Sequence, residues 1–168
     1  MAVVPGPAPS TVVIDYAHTP DALAKVLPAL TPGPGGRKIC LFGCGGDRDR
    51  TKRPVMGEIA GALADLAVVT SDNPRSEDPE AIIADILTGM TPDPERVHVE
   101  PDRACAIGWA LAQGQPGDVI VLAGKGHETY QEIRGVQYPM DEREIVKKWF
   151  ETAPGRQERT GNIPAGIV

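Results

Sequence analysis

A chain of 168 residues with 41% apolar and 24% charged residues has the composition of one folded domain, large enough to bury a hydrophobic core. Its formal net charge of −6 argues against nucleic acid or an anionic membrane surface as the main partner. No stretch reads as a signal peptide, and the longest apolar run, Val119–Ala123, is far too short to cross a bilayer.

Residues 1–10 are Pro-rich and predict a flexible leader. Residues 11–14 form a β-branched run that predicts the first strand, ending in Asp15-Tyr16-Ala17-His18. Thr19 before Pro20 is a helix start, and Leu23, Val26, Leu27 and Leu30 then repeat at helical spacing. Residues 38–42 predict a second strand, followed by Gly43-Cys44-Gly45-Gly46-Asp47-Arg48-Asp49-Arg50 and a helix opened by Pro54. Residues 67–70 predict a third strand, leading into Asp72-Asn73-Pro74-Arg75 and a helix started by Asp78-Pro79. A short strand over 97–99, a helix over 102–113 and a fully apolar central strand at Val119–Ala123 come next. Gly124-Lys125-Gly126-His127-Glu128 follows, then a hairpin or irregular strand over 131–140 and a last helix over 141–150. The domain is thus expected over 11–151, with residues 152–168 a disordered tail.

Strands alternating with helices at this spacing imply an α/β, Rossmann-like fold with a mostly parallel sheet and helices on both faces. Three cysteines, Cys40, Cys44 and Cys105, cannot all pair and show no C-x-x-C spacing. A reducing, cytoplasmic compartment follows as the simple expectation, with Cys40 and Cys105 read as buried thiols.

Four loops carry candidate chemistry. The Gly43-to-Arg50 loop is neither a Walker loop nor a dinucleotide fingerprint, because acids follow its glycines and no Gly-Lys-Ser/Thr ends it. It reads either as a loop whose glycines admit a ligand while Arg48 grips a carboxylate, or as a solvated turn of self-paired charges. In the Asp72-to-Arg75 loop, Pro74 fixes the backbone, Arg75 can bind a carboxylate in a fork, and Asp72 and Asn73 can accept from an ammonium. The plainer alternative is an Asx turn capping the next helix. Asp15, Tyr16 and His18 would suit a nucleotide, or simply mark a capped helix start with a structural histidine. Around Lys125 the flanking glycines argue for close backbone approach over a flexible turn. All four loops leave the carboxyl ends of predicted parallel strands, so they should converge on one edge of the sheet.

These stretches, together with Lys52-Arg53-Pro54, resemble the C-terminal domain of the Mur ligases over residues 11–150, and within that family the branch that adds meso-diaminopimelate. In that family ATP phosphorylates the terminal carboxylate of a UDP-MurNAc-peptide, and the amine of the incoming amino acid attacks the acyl phosphate. The resemblance implies that Asp72, Asn73, Pro74 and Arg75, with Arg48, Gly124 and Glu128, bind meso-diaminopimelate. It implies that Asp15, Tyr16 and His18 face the nucleotide. It also implies ATP and Mg2+ in a full enzyme whose UDP-binding and ATPase domains would engage UDP-MurNAc-dipeptide and ATP. This chain contains no Gly-Lys-Ser/Thr, since Gly126 follows Lys125. The expectation is therefore no metal site, no catalytic residue and no turnover from this chain alone. A stand-alone amino-acid-binding or docking module is the alternative.

Overall fold

The computed structural model describes residues 1–6 and 9–153. In sequence order the elements are β1 (Ala2–Val4), β2 (Thr11–Asp15), α1 (Pro20–Ala29), β3 (Lys38–Phe42), α2 (Lys52–Leu63), β4 (Leu66–Val69), α3 (Pro79–Leu87), β5 (Val97–Val99), α4 (Arg103–Gln113), β6 (Val119–Ala123), β7 (Tyr130–Ile133), β8 (Val136–Pro139) and α5 (Glu142–Thr152). Six strands form one sheet in the order β1-β2-β6-β3-β4-β5. β1 runs antiparallel to β2, and every other pairing is parallel.

The burial of the strands explains the arrangement. Every residue of β4 and β6 is buried, as is β3 from Ile39 to Phe42, so both faces of the sheet must be covered. Successive side chains serve opposite faces. Cys40, Phe42, Val69 and Val121 pack with Leu23 and Leu27 of α1, Met56 and Ala60 of α2, and Ile82 and Ile86 of α3. Ile39, Leu41, Val68, Ile120 and Leu122 pack with Ala106, Ile107 and Ala110 of α4 and Val146 and Phe150 of α5. The predicted fold class is the one observed, and from residue 11 onward the strands and helices follow the predicted order.

Helix starts follow the capping logic. Thr19 accepts from Ala22 N, Asp78 from Glu80 N, Asp102 from Cys105 N and Asp141 from Arg143 N. α2 differs from expectation. It starts at Lys52, two residues before Pro54, without a side-chain cap. A proline in the first turn removes an N–H that has no helical partner anyway, so Pro54 need not mark the first residue. The hairpin expected near 131–140 is β7–β8, turned by Arg134 and Gly135 at φ 50° and 76°. Both central residues at positive φ define the turn whose twist matches a two-residue hairpin.

Two expectations are corrected. The leader read over residues 1–10 contains β1, whose Ala2 and Val4 register with Ile14 and Val12 and whose Val4 is buried. The apolar run Ala2-Val3-Val4 covers what would otherwise be the open edge of β2, and the prolines that follow obscured it. Cys105 is exposed, because it sits on the solvent side of α4 beside the inward Ala106 and Ile107. From residue 154 onward the expected tail lies outside the described residues. Among the described residues no helix is long and apolar enough to cross a membrane.

The cysteines offer a direct check. Burial pushes the Cys40 and Cys44 thiols up to about 12. Alkylation of the native protein followed by mass mapping should modify Cys105 first, with Cys40 and Cys44 reacting only on unfolding. Early labelling of Cys44 would contradict its placement.

Candidate functional site

The loops after β2, β3, β4 and β6 meet around a cavity of about 450 Å³. Tyr16, His18, Arg48, Asp72, Asn73, Arg75, Gly124 and Glu128 all line it, together with Cys44, Gly45, Asp49, Lys52 and Met56. Of the residues expected at a site, only Asp15 and Pro74 lie behind the wall. A second cavity of about 330 Å³, walled by Glu58, Met90, Asp93 and Arg96 among others, involves none of these loops.

Glycines let two of the loops touch backbone to backbone. A Cβ on Gly43 would run into the Thr70 carbonyl oxygen, and one on Gly46 into the Pro74 carbonyl oxygen. Gly46 N donates to Asn73 O at 2.8 Å. Pro74 thus acts through its carbonyl and its fixed backbone, while Arg75 adopts φ 52°. That left-handed turn is held by the β7 backbone: Arg75 N donates to Glu132 O at 3.0 Å and Arg134 N to Arg75 O at 2.8 Å.

The Arg75 guanidinium is already engaged. Its Nη1 donates to Gly46 O at 3.0 Å and its Nε lies 3.3 Å from Glu132 Oε2. Arg48 is the contrasting case. It is exposed, donates to Asp47 O at 3.0 Å, and has no ion-pair partner among the described residues. Asp47 and Asp49 are occupied otherwise. Hydrogen bonds from Ser76 hold the Asp47 carboxyl below its ordinary value, and hydrogen bonds from Thr51 do the same for Asp49.

Lys125 changes the reading of the acids. Its ammonium is fully buried and donates to Asn73 Oδ1 at 2.8 Å and Tyr130 O at 2.9 Å. It lies 3.4 Å from Asp72 Oδ1 and 3.5 Å from Glu128 Oε2. Asn73 Oδ1 also accepts from Glu132 N at 2.9 Å, so both its lone pairs are used within the protein. The ammonium that Asn73 was expected to receive from a ligand is supplied by Lys125 instead. Asp72 and Glu128 keep partial exposure to the cavity, at 12% and 21% of their side chains.

At the rim, Tyr16 is half exposed and stacks on His127 with centroids 5.9 Å apart, and His18 meets its edge at 4.6 Å. His18 Nδ1 is 2.9 Å from Tyr16 O, and Asp15 accepts from Ala17 N at 2.9 Å. The three rings form a ledge across the loops after β2 and β6.

A family model described as "Mur ligase, glutamate ligase domain" matches residues 1–126 of the 168. The chain belongs to the Mur ligase family. It is 57% identical over 150 residues to a Chromobacterium violaceum protein named UDP-N-acetylmuramoyl-L-alanyl-D-glutamate--2,6-diaminopimelate ligase, covering 88% of this chain and 30% of that one. A protein of the same name from Trichormus variabilis is 60% identical over 137 residues, covering 82% and 27%. A solved structure of a ligase so named superposes with a TM-score of 0.84 at 45% identity, covering 90% of this chain and 31% of that one. The matched part is the C-terminal domain of these relatives, and the chain spans about 30% of their length.

Two buried arginines support the Mur ligase loops from behind, and sequence reading assigned neither a role. Arg53 on α2 is 1% exposed; it donates to Glu77 Oε2 at 2.6 Å, Asp85 Oδ2 at 2.9 Å and Gly45 O at 3.3 Å. Burial works against its charge, and the two carboxylates outweigh that, raising its pKa. Glu77 in turn accepts from Asp47 N at 2.7 Å. Arg103 at the start of α4 donates to Ser71 O at 3.0 Å and Ala123 O at 2.9 Å, the carbonyls just before Asp72 and Gly124. Its Nε meets Glu142 Oε1 of α5 at 2.7 Å, with both side chains at 0% exposure. The available signal was a charged residue in the first turn of an apolar helix, which more often marks a solvated position.

Two outcomes follow. Among the described residues Glu142 Oε2 is buried without a hydrogen-bond partner, and Arg103, bonded to Oε1, is the cation that offsets the burial of that carboxylate. Arg103→Met should cost about 3–5 kcal/mol in urea unfolding, and Arg103→Met with Glu142→Met should recover part of it. Separately, hydrogen bonds from Arg53 hold the Glu77 and Asp85 carboxyls below their ordinary 4.5 and 3.8. Both groups bind protons more weakly folded than unfolded, so their stabilisation is full above pH 4.5 and is lost as pH falls below 3.8. The melting temperature should drop on acidification through that window, and Arg53→Met should flatten the drop. An unchanged slope in the variant would remove this ion cluster from the explanation.

Proposed function

We propose that this chain is the amino-acid-recognising domain of an ATP-dependent ligase that adds meso-diaminopimelate to UDP-MurNAc-L-Ala-D-Glu in peptidoglycan assembly. The observation that carries the reading is the 450 Å³ cavity, where Arg48, a guanidinium with no ion-pair partner among the described residues, shares a wall with two partly exposed carboxylates, Asp72 and Glu128. A guanidinium fits a carboxylate in a fork, and carboxylates accept from an ammonium. The names of the relatives, which specify 2,6-diaminopimelate, support that choice of ligand.

The residues divide the work. Arg48 and Arg75 take the distal carboxylate, and Asp72 and Glu128 take the ammonium beside it. Gly124, at φ 118°, lets the backbone approach the ligand where a side chain would strain the turn. Asn73 and Pro74 shape the loop, the first through Lys125 and the second against Gly46. ATP supplies the activation of the acceptor carboxylate. The Tyr16–His18–His127 ledge, with Asp15 beneath it, fits a flat ring or a ribose at the cavity mouth. Among the described residues no group of three His, Cys, Asp or Glu is placed to hold a metal ion. What this domain contributes is binding and orientation of the amine, which lowers the entropic part of the barrier.

Calorimetry with meso-diaminopimelate and L-lysine tests the assignment. Lysine lacks the distal carboxylate, and an Arg–carboxylate contact contributes about 1.5–3 kcal/mol. Lysine should therefore bind at least about tenfold more weakly. Arg48→Ala should weaken meso-diaminopimelate by a similar factor and leave lysine unchanged. Equal binding of the two ligands, or binding of neither by folded protein, would overturn the assignment.

A further inference from the structure

We propose that Lys125 is a positioning residue that sets the charge of the pocket, cancelling one of the two carboxylates Asp72 and Glu128 so that the site accepts one ligand ammonium. The inference rests on the amino-acid-binding reading above and adds the group that tunes it.

Lys125 does not line the cavity. It stands behind the cavity wall with its ammonium at 0% exposure, between Asp72 Oδ1 at 3.4 Å and Glu128 Oε2 at 3.5 Å. Its two short hydrogen bonds go to neutral oxygens, Asn73 Oδ1 and Tyr130 O. Neutral acceptors would suit a glutamine equally well. A buried ammonium carries a large desolvation penalty, so the charge needs a reason beyond those two hydrogen bonds. The two carboxylates supply it, since Asp72 Oδ1 and Glu128 Oε2 lie on either side of the ammonium at 3.4 Å and 3.5 Å.

The remaining charges around the cavity sharpen the point. Arg75 is matched by Glu132 at 3.3 Å. Asp49 and Lys52, both on the wall, cancel in sum. With Lys125 counted, the pair Asp72 and Glu128 keeps one negative charge, and Arg48 keeps one positive charge. That balance matches one ammonium and one carboxylate, the charged end of an α-amino acid. Without Lys125 the pocket would carry two uncancelled acids and would favour a diamine. The glycines on either side make the placement possible. Gly124 and Gly126 sit at φ 118° and 55°, turning the chain so that Lys125 points inward. A Cβ on Gly126 would lie 2.9 Å from Tyr16 Cβ.

The test is a charge-neutralisation double-mutant cycle read by calorimetry with meso-diaminopimelate. Glu128→Gln leaves Lys125 facing Asp72 alone, so no negative charge remains for the ligand and binding should weaken about tenfold or more. Adding Lys125→Gln, which keeps donors for Asn73 and Tyr130 but removes the charge, should restore about tenfold over Glu128→Gln. Lys125→Gln alone should shift preference from meso-diaminopimelate toward 1,5-diaminopentane. A lysine that serves only as scaffold predicts the opposite sign: the double variant would bind no better than Glu128→Gln, and that result overturns the proposal. If Lys125→Gln fails to melt cooperatively while the double variant folds, the charge assignment is also supported. Unfolding of both assigns Lys125 to the scaffold and overturns it. Failure of the unmutated protein to bind meso-diaminopimelate is a distinct result: it removes the amino-acid reading itself, and this inference with it.

Discussion

Three cations taken out of water hold the loops of this domain in place. Arg53, Arg103 and Lys125 are each buried to within 1%. Each bonds to a carbonyl or carboxylate in the segments that follow the strands: Arg53 to Gly45 O and Glu77, Arg103 to Ser71 O and Ala123 O, Lys125 to Asn73 and Tyr130 O. A parallel sheet makes this necessary. Where a strand ends and the chain turns toward a helix, carbonyls lose their ladder partners while still below the surface. A loop carbonyl left bare there would cost about 1–3 kcal/mol. Long cationic side chains reaching in from α2, α4 and the loop after β6 satisfy several such groups at once and bring carboxylates with them.

This construction gives the pocket two layers of different rigidity. The rear layer is buried and ion-paired, so it cannot shift without exposing a buried charge. The front layer is exposed: Arg48, Lys52 and the Tyr16 ring face solvent. Recognition groups held by a fixed layer need little reordering when a ligand arrives, which reduces the entropic cost of binding. The proposed role fits that division, since a domain that presented an amine to chemistry performed elsewhere would gain more from orientation than from reactive groups of its own.

The legible and illegible parts of the sequence separate along physical lines. Strands and helices announced themselves because continuous apolar runs and capped starts are local signals: Thr19 before Pro20 and Asp78 before Pro79 both became the caps they resembled. The convergence of four loops was legible too, because parallel topology puts every carboxyl end on one side. What stayed hidden was pairing at a distance. Arg103 meets Glu142 across 39 residues, Lys125 meets Asn73 across 52, and Arg75 meets Glu132 in a hairpin that looked irregular. No local pattern marks such partners, and a charged residue in a sequence looks solvated until its partner is found. Cys105 shows the converse error, an apolar-looking position at the edge of a helical stripe where one step of 100° separates core from solvent.

The engagement of Arg75 bears on how the site can discriminate. Its backbone is fixed by the β7 strand, and its guanidinium already meets a carbonyl and a carboxylate within the protein. On the proposed reading, an incoming carboxylate would share that guanidinium with Glu132, so Arg75 would offer geometry more than unspent charge. Arg48 offers the reverse: charge without a carboxylate partner among the described residues, on a loop whose glycines give it room. A carboxylate seated between the two would meet a fixed fork on one side and a free cation on the other. A ligand lacking that carboxylate would leave Arg48 exposed to water at little cost while gaining nothing from Arg75. Selectivity in such a site comes from the binding energy the right ligand adds, and the pocket needs no clash to exclude the wrong one.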